Sequence, residues 1–267
     1  MRSAGRSLAL VFLVAGILVG VFVGGDVGAV IGVVIAMLGF QGLTRGVEGV
    51  PYVAAALFTT AGLVLVAWTH DLSMPELGLG FSTWIPGLLW SLAIVLVVGG
   101  VIGIAGSIPR TRKLFADDRV TEVSGLTTAR RALLDIPFGT VLIEEFAFRG
   151  VLLALTIDMY GTVGAIALTS FLFGLWHISP SLEMHEAHKA TSGSPIPTVL
   201  STVLFTGLGG VMFALLRLGT HSLFPPSALH WAMNGTGVVV GWFVHRSNPP
   251  YAEPADDEDA DTDVTPS

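Results

Sequence analysis

The 267-residue chain is 52% hydrophobic and only 12% charged, with a mean hydropathy of +0.75. Soluble domains carry about 25% charged residues, so a large soluble core is excluded and a membrane bundle is predicted. Its net charge of −7 comes largely from one run, Asp256, Asp257, Glu258, Asp259, Asp261 and Asp263, read as a solvated, disordered acidic tail over 247–267. The absence of cysteine excludes disulfides, thiol nucleophiles and thiolate metal sites. No basic, aromatic-laced surface points to nucleic acid.

A bilayer crossing needs roughly 20 apolar residues. Eight such segments follow in order: 8–24, 27–43, 51–69, 84–106, 133–155, 161–178, 198–217 and 226–245. The fold class predicted is an all-α, polytopic membrane helix bundle of about eight transmembrane helices. Arg2 and Arg6 precede the first apolar run. That run is too long for a signal peptide and lacks an A-x-A site, so it reads as a retained span. Glycines 16, 20, 24, 28 and 32 recur every four residues, a spacing that lets helices approach closely.

Loop charge gives an orientation. Arg2, Arg6, Arg45, the set Arg110, Arg112, Lys113, Arg119, Arg130 and Arg131, then Lys189 and Arg246 all fall on one side of an eight-crossing scheme. That side is cytoplasmic by the positive-inside rule, with both termini on it; Arg217 is the exception. A cell-membrane, multi-pass location follows. The units are N-terminal transmembrane helices (1–106), a cytoplasmic loop (107–132), a second transmembrane bundle (133–246) and the acidic tail (247–267).

The second bundle carries residues that a bilayer rejects without cause. Glu144, Glu145 and Arg149 lie near the middle of the fifth segment, where a charge costs about 2.5–3.5 kcal/mol on insertion scales. Glu145 and Arg149 are spaced i, i+4 with the acid first, the favourable order for a pair. Glu144 points about 100° away, without a local partner, as a general base would. The sixth segment ends Phe173-Gly-Leu-Trp-His177, and the eighth opens His230-Trp-Ala-Met-Asn234, whose ends share a helix face. A carboxylate base, a group to orient water and donors for an oxyanion make a parts list for peptide hydrolysis.

The ordered set Glu144-Glu145-x-x-x-Arg149, Phe173-x-x-x-His177 and His230-x-x-x-Asn234 resembles the CPBP family, the CAAX-type, bacteriocin-processing and lysostaphin-resistance-like intramembrane proteases. The likeness spans residues 130–240. It implies an intramembrane endopeptidase acting on a membrane-associated, CAAX-like or leader-peptide substrate, with the lipid bilayer and a peptide or protein as partners. Glu144 would activate water with His177, His230 and Asn234 would stabilise the oxyanion, and Glu145, Arg149 and Phe173 would support them. The family is described both as a metalloprotease and as metal-free. Glu144, His177 and His230 could supply the two-His, one-carboxylate set of a divalent metal such as Zn2+. Two other readings stand beside the hydrolase: a non-catalytic membrane scaffold or immunity protein, and a small transporter using its buried charges as an ion path.

Span counting sets His177 near the cytoplasmic end of its helix and His230 near the outer end of its own. They converge only if a helix is broken, shifted or longer than its apolar run, and Gly161–Gly164 and Pro225-Pro226 allow such irregularity. His185-Glu186-Ala187-His188 lacks a residue of the HExxH motif and reads as a polar surface loop.

Overall fold

The computed structural model describes residues 2–115, 124–187 and 194–247. The acidic tail beyond Ser247, Arg119, His188 and Lys189 lie outside the described residues, and Ser247 itself ends the last helix. Four helices come first: α1 (Arg2–Phe22), α2 (Asp26–Thr44), α3 (Val50–Thr69) and α4 (Trp84–Ser107). A continuous helical stretch follows, built from α5 (Gly125–Arg130), a π-helical stretch π1 (Arg131–Val141), α6 (Leu142–Glu145), a second one π2 (Phe146–Leu152) and α7 (Leu153–Trp176). The chain then forms α8 (Ile178–Ala187), α9 (Ile196–Thr220) and α10 (Phe224–Ser247).

Burial is inverted relative to a soluble protein. Leu96 and Val97 on α4 are each 65% exposed, whereas Glu145 is fully buried and Arg149 is 2% exposed. Apolar side chains on the outside and charges within are what a lipid solvent selects. The protein is an all-α polytopic membrane bundle. Six stretches are long and apolar enough to cross a membrane. The difference from the predicted eight has two causes. Gly125–Glu186 counts as one stretch of 62 residues, although at about 1.5 Å per residue it exceeds a 30 Å hydrocarbon layer threefold. α10 is not among the six, because His230, Asn234 and two prolines lower its hydropathy.

The helices α1 and α2 pack closely, and the glycine spacing explains how. A Cβ on Gly16 would land on the backbone of Ala36, and one on Gly32 on the backbone of Gly20. Gly24 has open space around it, so the repeat serves packing at some of its positions only. Two regions expected to be loops contain helix: α5 and the start of π1 lie within 107–132, and α8 within 179–197. His185 is accordingly buried in α8 rather than on a polar loop.

Polar clamps sit at both ends of the bundle. At one end Glu48 bridges Arg130 and Arg131, Asp135 accepts from the Gly49 N–H, and Arg45 pairs with Glu183 at 2.8 Å. At the other end the buried Arg217 donates to the carbonyls of Pro75 and Glu76 at 3.1 and 2.6 Å. The exception to the loop-charge pattern is thus a side chain that closes the 70–83 connection, where Gly78 has no room for a Cβ beside the guanidinium.

Candidate active site

The polar residues of the second bundle are set by its altered helical geometry. Pro137 lies inside π1, where it lacks an N–H and crowds the preceding turn. The wider i→i+5 winding accommodates both. Between the two π-helical stretches only the short α6 retains regular winding, and it delivers Glu144 and Glu145 side by side; π2 then carries Arg149.

Glu145 is the hub. Its Oε1 receives Arg149 Nη1 at 3.2 Å and His230 Nδ1 at 2.8 Å. The Arg149 guanidinium lies 3.9 Å above the Phe173 ring and 4.9 Å from that of Phe213, so two π-faces share its charge. Phe213 also stacks on the His230 imidazole at 5.2 Å and 19°. His230 is thereby held on one face by a ring and at one nitrogen by a carboxylate.

Glu144 approaches the other nitrogen of His230. The indole N–H of Trp176 donates to its Oε1 at 3.0 Å. Its Oε2 is buried, makes no hydrogen bond, and stands 3.9 Å from His230 Nε2. Glu144 has no partner within its own turn of helix; Trp176, 32 residues further along the chain, supplies one. Sequence reading quoted Trp176 without giving it a role, and its place beside His177 was the available signal. Phe213 was missed altogether, since an aromatic residue in an apolar span carries no mark of its own.

His177 follows the last residue of α7 and contacts the Phe173 carbonyl through Nδ1 at 2.8 Å. Its ring lies 4.7 Å from the Phe173 ring, which is 6.1 Å from that of His230. The two histidines therefore meet one phenylalanine, and with Asn234 they line one cavity of about 490 Å³ between α7, α9 and α10. The helix α7 is interrupted at Gly161, whose φ is 67° and ψ 171°. From there the helix covers roughly 22 Å to Trp176, short of a full crossing. The prolines cause no second break, since Pro225 and Pro226 occupy the first turn of α10.

Glu144 is not part of the cavity wall and borders it only across the gap to His230. Among the described residues no three His, Asp or Glu side chains stand together as a metal-holding group. The set Glu144, His177 and His230 does not fit a metal centre in this arrangement, and the chemistry below is derived from the side chains themselves.

No curated protein and no solved structure matches the chain. Residues 129–236 match the family model described as type II CAAX prenyl endopeptidase Rce1-like. That stretch spans π1 to the middle of α10 and includes Glu144, Glu145, Arg149, Phe173, His177, His230 and Asn234. Over residues 129–236 the chain is thus similar to the CAAX-type family of intramembrane proteases.

Proposed function

We propose that the protein is an intramembrane endopeptidase in which Glu144 activates water to cleave a peptide bond of a membrane-associated substrate, CAAX-like or leader-like. The observation that carries this reading is the buried, unpartnered Oε2 of Glu144, 3.9 Å from His230 Nε2. That separation is beyond direct hydrogen-bond reach, so a water admitted from the cavity would be shared by both groups.

Charge balance assigns the remaining roles. Two buried carboxylates and Arg149 leave one negative charge uncompensated, which a low-dielectric site disfavours. When His230 holds a proton on each ring nitrogen during the reaction, the set sums to zero. Its Nδ1–H then donates to Glu145, and its Nε2–H is available to an oxyanion together with the Asn234 amide. His177 donates its Nδ1–H to the Phe173 carbonyl, since a carbonyl only accepts. The lone pair on its Nε2 is then free to accept a water hydrogen.

The reaction runs in two proton transfers. As the water oxygen attacks the carbonyl carbon, Glu144 takes its proton, and the carbonyl oxygen becomes an oxyanion facing His230 and Asn234. When the C–N bond breaks, Glu144 returns the proton to the leaving nitrogen. One water is consumed, and a carboxylate and an amine are released. The clamp of Arg45, Arg130 and Arg131 would face the cytoplasm, with both termini on that side of a cell membrane.

Terminal-peptide mass spectrometry tests the reading on membranes from cells that make the wild type, Glu144→Gln or His230→Ala. New C-termini that depend on both residues are expected. Termini that persist in either folded variant would overturn it.

A further inference from the structure

We propose that Trp176 is a positioning residue for Glu144, itself anchored by Gln41 of α2, a helix outside the stretch that matches the family. The inference rests on Glu144 being the base.

A carboxylate on a rotatable side chain serves as a base only if one oxygen is held while the other faces the reacting water. Trp176 meets that need: it donates a charge-assisted hydrogen bond to Oε1 at 3.0 Å and leaves Oε2 toward His230. The indole is 8% exposed and packs edge-on against Phe148, with ring centres 6.2 Å apart. Its donor is therefore fixed by packing.

The position of Trp176 in its helix explains the role of Gln41. As the last residue of α7, Trp176 has a carbonyl without an intrahelical partner. Gln41 Nε2 donates to that carbonyl at 2.9 Å from the last turn of α2. The end of α7 is thus tied to the N-terminal helices immediately behind the base. Nearby, Met37 and Leu38 of α2 border the same indole in a small apolar hollow, so the tie lies within packed surface.

The deciding change is to remove the N–H and keep the ring. Replacing Trp176 by benzothienylalanine, an isostere with sulfur in place of the N–H, leaves the packing intact, and Trp176→Phe removes the N–H together with part of the ring. On a peptide that the wild type cleaves and Glu144→Gln does not, both replacements are expected to lower kcat about 10- to 100-fold with KM unchanged. Gln41→Leu is expected to lower it about threefold. An isostere with wild-type kcat would overturn the proposal.

A second readout needs no substrate. In protein labelled with 15N at the indoles, the Trp176 cross-peak, assigned by its loss in Trp176→Phe, is expected to move in Glu144→Gln. A cross-peak unmoved by Glu144→Gln would overturn the positioning role even if peptidase activity stands. A moved cross-peak in a protein without peptidase activity would overturn the base assignment instead.

Discussion

The pair α1–α2 and the stretch 131–152 solve the same problem in opposite ways. Both must hold helices together in a solvent that gives no hydrophobic drive for association. In α1–α2 the means is shape: glycines let backbones touch, as at Gly16 against Ala36 and Gly32 against Gly20. In 131–152 it is charge, with Glu145, Arg149 and His230 tied into one buried set. A shape-based contact tolerates any chemistry that is small enough. A charge-based one tolerates only a balanced set, and a balanced set with one free oxygen is already poised for reaction.

The contrast breaks most sharply at Arg149. Arg149→Met should leave Glu145 buried without its cation, costing about 3–5 kcal/mol in a reversible unfolding assay. Adding Glu145→Gln to Arg149→Met should recover much of that stability. It should not recover cleavage, because His230 would lose its carboxylate. Recovered cleavage would mean that the hub serves stability alone. Next in size, Gly32→Leu should force α1 and α2 apart and cost about 2–3 kcal/mol as an overpacked contact, while the rate per folded molecule on the same peptide stays unchanged. A fall in that rate would show that the two regions are coupled beyond the Gln41 tie.

The smallest effect lies outside both regions, in the 70–83 connection. There Glu76 accepts from the Ser73 hydroxyl at 2.5 Å and the Ser73 N–H at 2.7 Å. These bonds hold its carboxyl below the usual carboxylate range, outweighing slight burial. A depressed folded-state value stabilises the fold above the unfolded-state pKa, and that contribution is lost as pH falls through the folded one. Glu76→Gln should therefore lower Tm slightly near about pH 7, with the difference vanishing well below about pH 4. A Tm difference that persists in acid would assign the effect to packing.

The two regions also differ in how far the sequence exposed them. The spans, the glycine contact and the Glu145–Arg149 pair follow from spacing on a single helix, and local spacing is what a sequence displays. The break near Gly161 was legible for the same reason, because a glycine stretch inside an apolar run marks where a helix can yield. Trp176 and Phe213 were not legible as partners: each acts on a residue in another helix, and only Trp176, beside His177, carries any mark that sets it apart from core packing. The π-winding around Pro137 was hidden too, since a proline announces a disturbed turn without saying whether the helix kinks or widens.

The most direct measurement follows oxygen. Purified wild type and Glu144→Gln, matched in Tm, are reconstituted in liposomes with a peptide spanning a terminus identified in membranes, in water enriched in 18O. The wild type should place 18O in the new C-terminus, and Glu144→Gln should cleave at least about a thousandfold more slowly, as expected when a group acting in the reacting unit is removed. A folded Glu144→Gln that incorporates 18O within tenfold of the wild-type rate would contradict Glu144 as the base.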